Sequence, residues 1–182
     1  MGNSVQTGMG DIVASGGAER RVRARTPLYT AEQRKRRDET VWTLVQGILA
    51  PLQFVVCLVS AALILRSMAT GEGIALAHAS VLVKTVFLLL IMITGSVWEK
   101  VVFDRWLFAP AFLWEDVVSF GVIALHLAYV AALFGGWLDD GALFALALAA
   151  YAAYAINAAQ FLLKLRAARL DSAPSADRVV AV

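Results

Sequence analysis

Polar and apolar residues are separated into long blocks along the chain, with a polar first fifth, an apolar middle and a short polar end. In the middle, residues 43–65, 74–97, 110–134 and 141–163 each supply the roughly 20 apolar positions that a helix needs to cross a hydrocarbon core. Segments 66–73 and 135–140 are short enough to make tight antiparallel hairpins. Segment 98–109 is different. Wound as a helix, it gathers Val102, Phe103 and Trp106 on one side and Lys100 and Asp104 on another, a pattern suited to the membrane interface. Ahead of the first span, Thr30 and Gln33 have capping-box spacing, which predicts ordered structure from Thr30. Residues 1–28 read as a flexible basic tail whose Arg20, Arg21, Arg23 and Arg25 lie near anionic lipid. This tail lacks the apolar centre of a signal peptide. Residues 29–170 read as one four-span domain and 171–182 as a second flexible tail. The expected fold is all-α, an integral membrane four-helix bundle with an interfacial segment between spans two and three.

Orientation follows from the basic residues. Eight Lys and Arg precede the first span, two lie in 98–109 and four follow the fourth span, while the two hairpins hold only Arg66. The positive-inside rule therefore puts both termini in the cytoplasm. Trp42, Trp98, Trp106, Trp114 and Trp137 all fall near predicted span ends, as an aromatic belt requires.

Composition agrees and removes several alternatives. Of the 182 residues, 60% are hydrophobic and 16% charged, with a mean hydropathy of +0.71. A soluble domain has about 45–50% apolar and about 25% charged residues. One cysteine excludes an internal disulfide and any multi-cysteine metal site, and two distant histidines exclude a His-rich cluster. The net charge of +2 gives no argument for a nucleic-acid partner.

Every polar side chain inside a span needs an explanation, because lipid offers it no hydrogen bond. Gln46, Gln53 and Ser60 share one face of the first span. Glu115, Ser119, Val122 and His126 share a face of the third, and Tyr151, Tyr154, Asn157 and Phe161 form a stripe on the fourth. At 1.5 Å per residue, Glu115 and Asp116 lie about 8–9 Å from the cytoplasmic end, level with Asn157. Gln46, Gln53, Glu115, Asp116, Tyr154 and Asn157 are therefore expected to form one polar chamber, roofed by the segment carrying Glu99 and Lys100. Bland readings stand beside this one. The macrodipole tolerates Glu115 and Asp116 in an early helical turn, Gln46, Gln53 and Asn157 serve as interhelical glue, and Cys57 is a small core residue. Lys84 sits near mid-bilayer and needs a carboxylate or a wet cavity. Pairing with Glu115 or Asp116 would bridge a depth difference of about 11 Å. His126 is expected to be buried, and His78 interfacial. Pro51 removes a helical hydrogen bond to the Gly47 carbonyl, so a kink in the first span is expected there.

Blocks 41–54, 94–103 and 107–116, rich in Trp, Pro and paired charges, resemble those of the vinyl bacteriochlorophyllide hydratase family, and the similarity covers about residues 29–170. The resemblance implies a cofactor-free lyase of bacteriochlorophyll synthesis in the inner or intracytoplasmic membrane of a phototrophic bacterium. Such an enzyme adds water to the 3-vinyl group of a magnesium chlorin to give a 1-hydroxyethyl group, the magnesium entering with the substrate. Partners on this reading are the chlorin and the bilayer, and whether another pigment-synthesis enzyme delivers the substrate stays open.

Hydration needs a general acid, an oriented water and a base. A carboxyl group desolvated in an apolar span can keep a proton near neutral pH and supply the acid. Glu115 is the first choice for the acid and Asp116 the second, or the base. Gln53, Tyr154 and Asn157 are placed to orient water. Lys84, Lys100 or Arg105 would meet the substrate propionate beside Glu99, with Trp114, Trp98 or Phe112 along the ring and His126 or His78 on the magnesium. Two other classes compete: a non-catalytic tetrapyrrole carrier or assembly protein, and a small proton-coupled transporter using Lys84, Glu115 and His126.

Overall fold

A computed structural model describes residues 28–172, so the expected tails, including Arg20 to Arg25, lie outside the described residues. The described residues form five helices: α1 (Ala31–Glu39), α2 (Val41–Thr70), α3 (Ile74–Phe103), α4 (Leu113–Gly135) and α5 (Asp140–Ser172). Among them α2 to α5 are long and apolar enough to cross a membrane.

The capping box forms as expected. The Gln33 amide donates to Thr30 Oγ1 at 3.2 Å, and the Thr30 amide donates to Gln33 Oε1 at 2.9 Å. Thr40 then ends α1 and caps α2, accepting the Trp42 amide on its hydroxyl. Helix α2 runs unbroken through Pro51. It also passes Leu65, where the span was expected to end, because Arg66 to Thr70 contain no breaker. Gly71 stops it by taking a left-handed conformation (φ 72°), and Gly136 stops α4 the same way (φ 63°).

The second expected boundary moves for a similar reason. Residues 98–103 extend α3 instead of forming a separate interfacial element, since nothing before Asp104 breaks the helix. Helix α4 starts at Leu113 rather than at Pro110, because Pro110 to Phe112 form a turn closed by the Phe112 amide on the Ala109 carbonyl at 2.8 Å. The remaining connection, 104–112, is irregular and holds the two non-glycine residues with positive φ, Asp104 (60°) and Phe108 (58°).

Helix α2 packs mainly on α3, and α4 on α5. The two hairpins meet along α3–α4 and α2–α5, and α1 lies against α3. The register of α2 on α3 is set by Gln46 Nε2 to Thr94 Oγ1 (2.8 Å), Ser60 to Ser80 (2.7 Å) and Trp98 Nε1 to Thr43 Oγ1 (2.9 Å). Asn157 Nδ2 to Ser119 Oγ (2.7 Å) sets α5 on α4. The outer surfaces of the spans carry exposed apolar side chains such as Leu44, Leu58, Val86, Phe134 and Leu162. Gln53, Ser60, Lys84, Glu115, His126 and Asn157 all face inward, so the inward faces read from helical spacing are the observed ones.

Ser60 joins three helices, because its hydroxyl meets both Ser80 and the Tyr151 phenol at 2.7 Å. Ser60→Ala is expected to cost about 1 kcal/mol, the scale of an interhelical hydrogen bond in a membrane. Reversible unfolding in mixed micelles measures it, and Leu58→Ala on the outer surface should cost less.

Candidate active site

The polar interior divides into two groups at different depths, where one chamber was expected. The first lies at the end of the bundle where α3 finishes and α4 begins. Glu99, Glu115 and Asp116 are all buried there, 4%, 7% and 4% exposed. The last turn of α3 supplies Glu99 and the first turn of α4 supplies the other two. The Glu99 and Asp116 carboxyl groups lie close enough to interact electrostatically. They also grip the connection between their helices, since the Ala109 amide donates to Glu99 Oε2 at 3.1 Å and the Phe108 amide to Asp116 Oδ2 at 2.9 Å. A bulky residue in the left-handed region is strained, and this pair of bonds, with Phe108 stacked on Phe120 at 5.5 Å, holds Phe108 there.

Glu115 has a different partner. Lys164 Nζ donates to its Oε2 at 2.6 Å. Of the two readings of Lys84, pairing with Glu115 or Asp116 is not found, because α5 reaches the carboxylate end with a lysine of its own. Lys164 was missed as a site residue, although it follows Asn157 by seven positions and so lies on the same face of α5. Its ammonium also sits 5.1 Å from the centre of the Phe112 ring. That ring belongs to an aromatic cluster, stacked on Phe161 at 5.8 Å and met edge-on by Trp98 and Phe103. Tyr29 stacks on Phe103 at 5.7 Å, and burial pushes its phenol above the ordinary tyrosine range, keeping it protonated.

Three expected site residues are not brought into this group. Lys100 is committed to Asp104, Nζ to Oδ1 2.7 Å, and holds that exposed carboxyl below the usual carboxylate range. Arg105 is exposed, and Trp114 points out of the bundle, 63% exposed. One turn deeper than the carboxylates, Asn157 bonds Ser119, and Asn157 Oδ1 has no hydrogen-bond partner among the described residues.

The second group lies in the middle of the bundle and holds Gln53, Lys84, His126 and Tyr154. Lys84 is fully buried, its Nζ 3.9 Å from the centre of the Tyr154 ring and close enough to Cys57 and His126 to interact with both electrostatically. His126 Nδ1 donates to the Val122 carbonyl at 2.8 Å. His78 stands apart at the far end, with both ring nitrogens engaged, by the Tyr129 phenol at 2.7 Å and Asp140 Oδ1 at 3.0 Å. Among the described residues no group of three or more His, Cys, Asp or Glu side chains is placed to hold a metal ion.

The fold and this site define a multi-span helical membrane protein with a buried set of carboxyl groups at one end of its bundle. The family model described as 2-vinyl bacteriochlorophyllide hydratase matches residues 29–167, a stretch that contains every residue of both groups. A 2-vinyl bacteriochlorophyllide hydratase of Cereibacter sphaeroides is 66% identical over 144 residues, 79% of this chain and 89% of the relative. One of Rhodobacter capsulatus is 61% identical over 150 residues, 82% and 87% of the two chains. The chain belongs to the 2-vinyl bacteriochlorophyllide hydratase family. No solved structure matches it.

If Glu99 and Asp116 jointly hold the 104–112 connection, Asp116→Leu should release it. Hydrogen–deuterium exchange at the Phe108 and Ala109 amides is expected to rise at least about tenfold, the effect of losing about 1.4 kcal/mol of protection. Exchange in the middle of α2 should not change.

Proposed function

We propose that this chain is a hydro-lyase that adds water to the vinyl group of a magnesium bacteriochlorophyllide or chlorophyllide, giving a 1-hydroxyethyl substituent in bacteriochlorophyll synthesis. The observation that carries the reading is the 61–66% identity to proteins named for this hydration, over residues that include the whole carboxyl group set. The names number the vinyl position 2 where the sequence reading numbers it 3, and in both the group hydrated is a vinyl substituent of the macrocycle.

Addition to a vinyl group begins with a proton on its terminal carbon, which leaves a cation on the inner carbon conjugated with the ring. Water then adds to the inner carbon and loses a proton to a base. Two buried carboxylates side by side repel unless one of them holds a proton, so the Glu99–Asp116 pair is the proton donor in this scheme. Glu115, ion-paired with Lys164, is the carboxylate that accepts the proton from the attacking water. The acid role thus passes from Glu115, the first choice on sequence, to its neighbour, because Glu115 is already engaged by Lys164. Asn157 and Ser119, one turn deeper, orient the water. The aromatic side chains Trp98, Phe112 and Phe161 supply an apolar surface beside the carboxyl groups on which a flat ring can rest. No cofactor takes part in this scheme, and magnesium enters as part of the substrate.

The basic α1, the 104–112 connection and the end of α5 share one end of the bundle, which we assign to the cytoplasmic face of the bacterial inner or intracytoplasmic membrane. Cysteine labelling tests this in intact cells, since the native Cys57 is buried. Glu72→Cys should react with an impermeant thiol reagent added outside, and Arg105→Cys only after lysis. The reverse pattern would invert the assignment.

Activity is tested with the detergent-solubilised protein, a vinyl chlorin and isotopically labelled water, the pigments being weighed by mass spectrometry. The wild type should add one labelled water. Asp116→Asn and Glu99→Gln should each lower kcat by about 10²–10⁴, the range for losing general acid–base catalysis. Unchanged pigment that co-purifies with the wild type would replace this reading by the non-catalytic carrier.

A further inference from the structure

Lys84 is 0% exposed and has no hydrogen-bond partner among the described residues. The register set by Gln46–Thr94 and Ser60–Ser80 puts it level with Cys57, one turn from Gln53. Gln53 is itself buried, and neither its Oε1 nor its Nε2 has a partner. On the facing hairpin, the Nδ1–H of His126 is spent on the Val122 carbonyl, so Nε2 presents a lone pair, and it too is unpartnered. Three nearly fully buried side chains from α2, α3 and α4 thus turn four unsatisfied polar atoms into the same part of the bundle. Leaving such atoms bare costs about 1–3 kcal/mol each, more for the ammonium.

The mixture of donors and acceptors identifies what satisfies them. Lys84 Nζ and Gln53 Nε2 donate, whereas Gln53 Oε1 and His126 Nε2 accept. An anion would meet only the first two, and a cation only the second two. Water both donates and accepts, and a buried water makes about three hydrogen bonds to groups of this kind. Toward the carboxyl end, the interior continues with two more unpartnered acceptors, Asn157 Oδ1 and Gln160 Oε1. Tyr154 lies ten residues from Lys164 along α5, so about 15 Å separates the Lys84 level from the Glu115–Lys164 pair, with Asn157 between them.

We propose that Gln53, Lys84 and His126 bind a cluster of water molecules in the middle of the bundle, and that this cluster, through Asn157, is the store from which water reaches the vinyl group. The presence of the water follows from the packing alone, while its use as a reactant rests on the hydratase reading. A site for the second substrate inside the protein explains why polar groups are kept at a depth where lipid would otherwise exclude water.

Hydroxyl-radical footprinting of the full chain in nanodiscs, read by mass spectrometry, tests the presence of the water. Cys57 and Tyr154, both buried beside Lys84, should be labelled at least about fivefold faster than Tyr129, which is also buried but lies near the opposite end. Gln53→Leu and Lys84→Met should each reduce that labelling. Equal, slow labelling of all three residues in the wild type would show a dry interior and overturn the proposal, whether or not either variant folds. The labelled-water assay tests the use. Gln53→Leu should lower kcat about tenfold and leave KM for the chlorin unchanged. A wet interior with unchanged kcat would overturn the supply role. A wild type that hydrates nothing would instead defeat the hydratase reading, while the footprint still decides whether the water is there.

Discussion

Lipid cannot accept or donate a hydrogen bond, and the rest of this structure depends on that constraint. In water, Gln53, Ser60, Asn157 and Tyr151 would be satisfied on a surface. Here they turn inward, where Ser60 meets Ser80 and Tyr151, and Asn157 meets Ser119. Apolar side chains cover the outer faces of all four spans. The hydrophobic effect places the helices in the membrane but does little to choose their neighbours, because lipid tails are as apolar as leucine. Pairing between helices is therefore carried by polar contacts and close packing. The same inward-facing polar groups that hold the bundle together are the ones available for chemistry.

The two polar groups do different work with similar means. At the end of the bundle, each acidic side chain is committed: Glu115 to a lysine, Glu99 and Asp116 to backbone amides. Such commitments fix orientation, which a proton transfer needs more than it needs raw acidity. In the middle of the bundle Gln53 and Lys84 have no hydrogen-bond partner among the described residues, and His126 uses only one ring nitrogen. The contrast between satisfied and unsatisfied polar atoms separates the carboxyl end from the interior more clearly than residue type does.

The spans and their inward faces were legible in the sequence because hydropathy and the helical period are one-dimensional signals. Glu115, Ser119, Val122 and His126 follow one face by spacing, and that face is the buried one or borders it. Helix ends were less legible. Residues 98–103 carry an amphipathic pattern that reads as a new element, yet a helix continues until something stops it, and Asp104 is the first residue that does. Partners were the least legible. Depth along a span can be counted from sequence, but which helices face one another cannot, so the sequence offered Lys84 only distant carboxylates and Lys164 was counted only among the basic residues past the fourth span. The seven-residue spacing of Asn157 and Lys164 was the available signal, hidden because Lys164 lies past the end of the apolar run.

The clamp on the 104–112 connection has a mechanical consequence. Glu99 and Asp116 stand side by side and hold Ala109 and Phe108 through their backbone amides. In the proposed scheme, once the pair gives up its proton, two negative charges face each other at the ends of two different helices. The connection is then the joint that takes up the repulsion, and the left-handed Phe108 is its most tightly wound point. Each turnover would flex this joint once, and return of the proton would reset it.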